Sequence, residues 1–242
     1  MGLGVIGGLG PMATVYFMEL VIKMTEAQCD QDHIEMIVYN CPTIPDRTGF
    51  ILGRTQQNPV VPMVRIGKQL VAQGAECIAI PCVTAHYFYD ILSESINTDI
   101  IHAVKETTNH LKENGISKVG IAATDGTIAS GLFQKELAGA GISYVVPSEK
   151  SQQAVMDVIY KNIKAGRPVQ EDKLYSAFDE MRKSGAEVII LGCTELSLVK
   201  RDYSLGAGYL DVLDVLAKES VIRCGKKLRD EYKCLVTGKC DR

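Results

Sequence analysis

Gly74-Ala75-Glu76-Cys77-Ile78-Ala79-Ile80-Pro81-Cys82 and Gly185-Ala186-Glu187-Val188-Ile189-Ile190-Leu191-Gly192-Cys193 are two copies of one pattern. Five of the nine positions are identical, at an offset of 111 residues (82 to 193). Each copy has a glycine where a helix would stop, a short apolar run of β type, and then a cysteine just before a helix start. A second echo pairs Leu3-Gly4-Val5 and Gly10 with Val119-Gly120-Ile121 and Gly126, at an offset of 116 (4 to 120). Similar offsets at separate places indicate two copies of one α/β unit that differ by a small length change. No low-complexity linker lies between them, so a close interface between the halves is expected.

Working outward, apolar runs at Leu3–Ile6, Ile34–Tyr39, Cys77–Ile80, Lys118–Ala122, Ser143–Val146 and Val188–Leu191 read as strands. Helix-period segments alternate with them: Thr14–Thr25, Pro62–Gln73, Lys105–Asn114, Gln152–Lys164 and Lys173–Ser184. Gly74, Gly115, Gly166 and Gly185 stand where helices should end. Alternation of this kind predicts an α/β fold of parallel sheets with helical crossovers.

The chain of 242 residues is 46% hydrophobic and 23% charged, with a net charge of −3 and no basic run. Those values suit a globular protein with a substantial core, and nothing in them points to a nucleic-acid or membrane surface. The first charged residue is Glu19, but Gly2, Gly4, Gly7, Gly8, Gly10 and Pro11 break up the segment before it. That start predicts strand, turn and helix rather than a signal peptide, and position 6 is Ile, which does not fit a myristoylation signal. A cytoplasmic protein is expected. Eight cysteines without any Cys-x-x-Cys point to reduced thiols, and away from zinc ribbons and thioredoxin-like sites.

Cys82 and Cys193 both fall at the carboxyl end of a predicted strand, the place where ligands bind in open α/β sheets. Thr84 and Thr194 follow as candidate N-caps. A helix N-terminus favours the thiolate, so both cysteines are expected to be activated. One such cysteine would pass as packing; two at equivalent repeat positions point to paired chemistry. Inverting a stereocentre needs a base on one face and an acid on the other, and two opposed thiols supply both.

Gly7-Gly8-Leu9-Gly10-Pro11, Pro45-Asp46-Arg47-Thr48, Pro81-Cys82-Val83-Thr84-Ala85-His86 and Gly192-Cys193-Thr194-Glu195-Leu196 together resemble the aspartate/glutamate racemases that work without pyridoxal phosphate. The likeness runs to about Leu198 and continues more weakly through Asp211–Ala217. It implies two similar α/β domains related by a pseudo-two-fold axis, an active site between them, no cofactor or metal, and a homodimer. The first domain would comprise residues 1–103 and 209–242, with a returning last helix, and the second residues 104–208. Carried over by position, Cys82 and Cys193 match the catalytic pair. Arg47 matches an arginine that holds a substrate carboxylate, and Lys164 the lysine that adds a second positive contact. Thr84, Thr127 and Thr194 match polar positions around the substrate's α-carboxylate and amino group. The substrate implied is an acidic amino acid, aspartate before glutamate.

Two departures stand out. Val83 replaces an asparagine of the family, and Val212 and Leu213 replace small polar residues. His86, four residues after Cys82, could tune the thiol or form half of a metal pair, although a structural histidine fits better. Cys234 and Cys240 in the polar tail have no assigned role. Two other readings compete with a racemase. Gly8-Leu9-Gly10-Pro11-Met12-Ala13 fits the dinucleotide fingerprint of a nicotinamide-dependent oxidoreductase, although the second strand ends at Tyr39-Asn40-Cys41 without the usual acid. A non-catalytic binding protein of two α/β lobes would explain the repeat but not the paired cysteines.

Overall fold

A computed structural model describes residues 2–203 and 205–237. The first half of the chain builds β1 (Gly2–Gly7), α1 (Pro11–Met24), β2 (Met36–Asn40), α2 (Arg47–Ile51), α3 (Val60–Ala72) and β3 (Ala75–Ala79). A 3-10 turn (Val83–Phe88), α4 (Tyr89–Ile96), β4 (Asp99–Ile100) and α5 (Ala103–Glu113) follow. The second half repeats the plan with β5 (Lys118–Ala123), α6 (Asp125–Ala129), α7 (Leu132–Gly139), β6 (Ser143–Val145), α8 (Glu149–Asp157) and α9 (Glu171–Lys183). It ends with β7 (Val188–Gly192), α10 (Thr194–Asp202), β8 (Tyr209–Asp211) and α11 (Val212–Arg223).

Each half forms a four-stranded sheet, ordered β2-β1-β3-β4 and β6-β5-β7-β8, with every pairing parallel. The second order is the first with each number raised by four, so the sequence repeat is also a repeat of topology. Gly74 and Gly185 take φ of 99° and 91° just ahead of β3 and β7, a conformation that glycine adopts without a steric penalty. One expected helix differs from its reading. The stretch from Gln152 to Lys164 runs as α8 only to Asp157, and Val158–Ile163 then winds as a π-helix. Such under-wound turns gather at functional sites, and this one presents Tyr160 and Lys164.

Side chains alternate across the strands, and both faces are covered, as parallel sheets require. Leu3, Val5, Val119, Ile121, Val188 and Ile190 point into one hydrophobic cluster shared by the two halves. Ile6 and Ile78 pack on the opposite face under α3 and α4, and Ile189 and Leu191 under α8 and α9. Helix α11 drives Val212, Leu213, Val215, Leu216, Ala217 and Val221 into the shared cluster and packs on α1 and α5. Each such side chain contributes roughly 1.5–3 kcal/mol on burial; the halves therefore meet as one core. The close interface expected from the missing linker is present.

A buried polar cluster fixes α10. Ser197 donates to Asp211 at 2.7 Å, and the Lys200 ammonium bonds Asp211 at 3.2 Å and also Asp214. Cys29, Cys41, Cys77, Cys82, Cys193 and Cys224 are free, whereas Cys234 is disulfide-bonded, which corrects the expectation of reduced thiols throughout. Cys240 lies outside the described residues. Among the described residues no helix is long and apolar enough to cross a membrane.

Candidate active site

Cys82 and Cys193 end the loops that leave β3 and β7. Each has extended dihedrals, φ −155° and φ −146°, and is itself the residue that precedes a helical turn. The cysteines, not Thr84 and Thr194, therefore occupy the caps; Thr194 is already the first residue of α10. Both thiols are buried, at 6% and 5% exposure, and both line one small cavity.

Arg47, Val83, Thr84, Lys164 and Thr194 line the same cavity. Thr127 stands one layer behind, its hydroxyl 3.0 Å from that of Thr84 and 3.1 Å from that of Thr124. Thr84 also lies 3.0 Å from Thr124, and Thr48 donates to Thr124 at 3.2 Å. Four hydroxyls drawn from both halves thus meet beside Cys82, and each can turn to donate to an anion. The cavity measures about 10 Å³, room for a single water. It adjoins a vestibule of about 580 Å³, the two sharing Leu9, Asp46, Arg47, Lys164 and Glu195 in their walls.

Arg47 opens α2 and is buried. Its Nη2 donates to the Leu9 carbonyl at 2.6 Å, and Nη1 to the carbonyls of Pro45 at 3.1 Å and Ile44 at 3.4 Å. The forked end expected to clasp a carboxylate is thus engaged by backbone, and Nε is the buried nitrogen left without a partner. Burial works against its charge, but the adjacent Cys82 sulfur, Asp46 and Glu195 outweigh it and raise its pKa above the ordinary value.

The opposite wall carries a different set. Glu195 is 4% exposed and accepts the Cys193 thiol at 3.0 Å. Lys164 sits 3.5 Å from the other Glu195 oxygen and 4.7 Å from the centre of the Tyr160 ring. Burial opposes the ammonium, yet Glu195 and Cys193 raise its pKa above the usual lysine value. For Cys193 the helix-terminus expectation fails. Burial first, and then Glu195, push its thiol well above the ordinary value, and Lys164 offsets this only in part. Tyr160 donates to Asp46 at 3.2 Å, a bond from the second half to the first across the mouth of the cavity.

His86 does not line the cavity. Its ring is buried, Nε2 lies 3.3 Å from the Ile80 carbonyl, and burial with the nearby His102 pushes its pKa down to about 3. It is a neutral structural imidazole. Among the described residues no group of three or more His, Cys, Asp or Glu is placed to hold a metal.

Gly10 bears on the dinucleotide reading. A Cβ added there would fall 2.9 Å from a Glu195 oxygen. The amino end of α1, where a pyrophosphate would need to sit, is therefore met by a buried carboxylate. Of the residues in the cavity wall, sequence reasoning missed Thr48, Thr124, Tyr160 and Glu195. Glu195 sits inside the quoted second cysteine motif, and Tyr160 lies four residues before Lys164 on one helix face; both signals were present.

Comparison with known proteins identifies the family of the fold that carries this site. Residues 6–220 match the Asp/Glu/hydantoin racemase family. The broad specificity amino-acid racemase RacX of Bacillus subtilis is 28% identical over 90% of this chain and 96% of its own length. The aspartate racemase of Picrophilus torridus superposes with a TM-score of 0.85 at 28% identity, covering 97% of this chain and 99% of that one. A Francisella tularensis glutamate racemase shares the fold at a TM-score of 0.64 and 17% identity, over 92% of this chain and 80% of that one. The chain belongs to the Asp/Glu/hydantoin racemase family and is an amino-acid racemase.

Proposed function

We propose that the protein inverts a free α-amino acid by a two-base mechanism in which Cys82 and Cys193 act on opposite faces of Cα. One observation carries this reading: thiols from equivalent positions of the two repeats line one cavity together with Arg47 and Lys164. In one direction the Cys82 thiolate takes the α-proton while the Cys193 thiol delivers its own to the other face; the reverse reaction exchanges the roles. Carbanion character develops next to the α-carboxylate. The Lys164 ammonium, the Arg47 Nε–H and the hydroxyls of Thr84, Thr124 and Thr127 are the donors available to offset it. Both proton transfers are thiol chemistry, so the reading needs neither pyridoxal phosphate nor a metal.

Acidic substrates, aspartate first and glutamate next, are supported by the Pro45–Thr48 resemblance and by the likeness to an aspartate racemase. The likeness to a broad-specificity relative makes neutral amino acids the proper comparison. A cytoplasmic homodimer belongs to the same proposal. Incubation with L-aspartate, L-glutamate and a panel of neutral L-amino acids in deuterated water tests it. Chiral chromatography should show inversion, and NMR the loss of the Cα–H signal. Absence of both with every amino acid would end the proposal.

A further inference from the structure

Cys82 and Cys193 are equivalent in the repeat but not in their neighbours. Two residues beyond Cys82 the chain has Thr84; two beyond Cys193 it has Glu195. The cation nearest Cys82 is the Arg47 guanidinium, reaching in from α2, whereas the Cys193 thiol donates to the Glu195 carboxylate at 3.0 Å. We propose that Glu195 is a positioning residue that fixes which thiol holds the proton in the free protein. Cys193 waits as the acid and Cys82 as the base. The catalytic meaning of this arrangement rests on the two-thiol reading above; the arrangement itself is a property of the unliganded protein.

The surroundings of Glu195 make its carboxylate an integral part of the site. It is buried, its Oε1 faces Lys164 at 3.5 Å, and the same oxygen lies where a side chain at Gly10 would begin. Gly10 precedes the first turn of α1, a 14-residue helix whose positive end compensates a buried negative charge. Lys164 compensates it from the other side, as a buried charge requires. Gly10 itself has φ −137°, which any residue can adopt. Glycine is needed there to leave room for the carboxylate, not for its backbone freedom.

The charged and titratable groups that face Cys193 are Glu195 from its own helix, Lys164 and Tyr160 from the π-helical turn and its end, and, in the opposite wall of the cavity, Asp46, Arg47 and Cys82. Glu195 is in direct hydrogen-bond contact with the sulfur. Lys164 is directed at the far carboxylate oxygen, and its charge also acts on the Cys193 thiol, partly offsetting Glu195. A thiolate at Cys193 would place two negative charges about 3 Å apart in a buried setting, an arrangement that favours the protonated form.

Limited alkylation of the native protein tests this, because the thiolate and not the thiol attacks iodoacetamide. Peptide mass spectrometry reads each cysteine separately. Cys82 and Cys193 are equally buried, so access does not separate them, and the exposed Cys29 supplies a reference rate. Wild-type protein near neutral pH should label Cys82 at least about tenfold faster than Cys193. Glu195→Gln keeps the shape and a hydrogen-bond acceptor but removes the charge. It should speed labelling of Cys193 at least about tenfold, the equivalent of one pKa unit, with little effect on Cys82. Glu195→Asp keeps the charge and should lie between.

Gly10→Ala, which leaves Glu195 in the chain but presses on its carboxylate, should raise Cys193 labelling several-fold and serves if Glu195→Gln does not fold. Equal labelling of the two cysteines in wild type would overturn the proposal, as would unchanged Cys193 reactivity in Glu195→Gln or, where that variant does not fold, in Gly10→Ala. The assay needs no substrate. A protein that labels as expected yet inverts no amino acid refutes the function and leaves the proton arrangement standing. An active racemase with equal labelling does the reverse.

Discussion

Replacing Arg47 by methionine removes two separable things, and the structure gives the size of each. The first is a stitch between the loop after β1 and the turn before α2. Arg47 satisfies the Leu9 carbonyl at 2.6 Å and the Pro45 carbonyl at 3.1 Å; the 3.4 Å approach to Ile44 is long enough to count as weak. A buried acceptor left without a donor costs about 1–3 kcal/mol. Two of them cost about 2–6 kcal/mol, a large share of the roughly 5–15 kcal/mol that usually separates folded from unfolded. In a chain of this length each kcal/mol moves Tm by roughly 2–4 °C, so a drop of about 5–20 °C is expected. The chain has no tryptophan, so circular dichroism or calorimetry is the appropriate readout.

The second loss is a charge beside Cys82 and the buried Nε–H of a residue in the cavity wall. Losing one charged partner of a buried group costs about 2–5 kcal/mol, so kcat/KM should fall at least about thirtyfold. Arg47→Lys separates the two effects, because it keeps a charge but cannot bridge both carbonyls. It should melt nearly as low as Arg47→Met while retaining more activity. A methionine variant that melts within about 2 °C of wild type would refute the stitch. One that melts low but keeps full kcat/KM would show Arg47 to be a structural residue only.

Three further outcomes are expected. Cys82→Ala and Cys193→Ala should each lower racemisation by more than about a hundredfold, though a single variant can still exchange Cα–H of one enantiomer; near wild-type inversion by either one sinks the two-base mechanism. Val83→Asn should raise kcat/KM for aspartate or glutamate about tenfold, worth roughly 1.4 kcal/mol, at some expense in Tm because Val83 packs in the shared core; unchanged or reduced activity in a folded variant makes Val83 a packing residue. His86, with its pKa near 3 against about 6.5 when unfolded, binds fewer protons folded than unfolded between those values. Its contribution is complete above pH 6.5 and is lost as pH falls toward 3, on the order of 5 kcal/mol in all. His110, lowered to about 4, has the same sign. His86→Gln should flatten the loss of stability below pH 6, and an unaltered slope in calorimetry would exclude His86 as a source.

The fold was legible because its signals are local and repeated. Six strands announce themselves by short apolar runs, and the doubled Gly-Ala-Glu segment places β3 and β7 at equivalent points of two sheets. β4 and β8, of two and three residues, do not read as strands because neither displays a period; β6, equally short, is legible only within the run Ser143–Val146. The π-helical turn was read as ordinary helix for a related reason: its extra residue shifts hydrogen bonds without disturbing the apolar spacing. The cysteines, Lys164, Thr84 and Thr194 were placed in the cavity by motif position alone, with Thr127 one layer behind. What Arg47 bonds to was hidden, because its partners are carbonyls of Leu9, Ile44 and Pro45, and backbone acceptors leave no mark in a sequence. Thr194 and Thr84 missed their caps by one or two residues, since the chain bends into helix immediately after each cysteine.

The relation between the two walls of the site carries the argument furthest. Duplication of an α/β unit delivers two thiols to equivalent strand ends, but it says nothing about charge. Charge comes from residues that the repeat does not match, with Thr84 facing Glu195 across the pseudo-symmetry and Arg47 set against Lys164. Racemisation has an equilibrium constant of unity, so no asymmetry in the protein can favour one enantiomer at equilibrium. Under the proposed two-thiol mechanism, unequal walls set which thiol is protonated when a substrate arrives, and with it the separate kcat and KM of the two directions, while kcat/KM stays equal in both. Under that mechanism each turnover in one direction leaves the protons exchanged, and the resting arrangement must be restored before the same enantiomer can be used again. With Glu195 in its proposed role, its carboxylate makes that restoration downhill and the opposite form the scarce one. On that proposal the effect of the asymmetry falls between turnovers, at high substrate, where the return of a proton to Cys193 competes with binding of the next molecule.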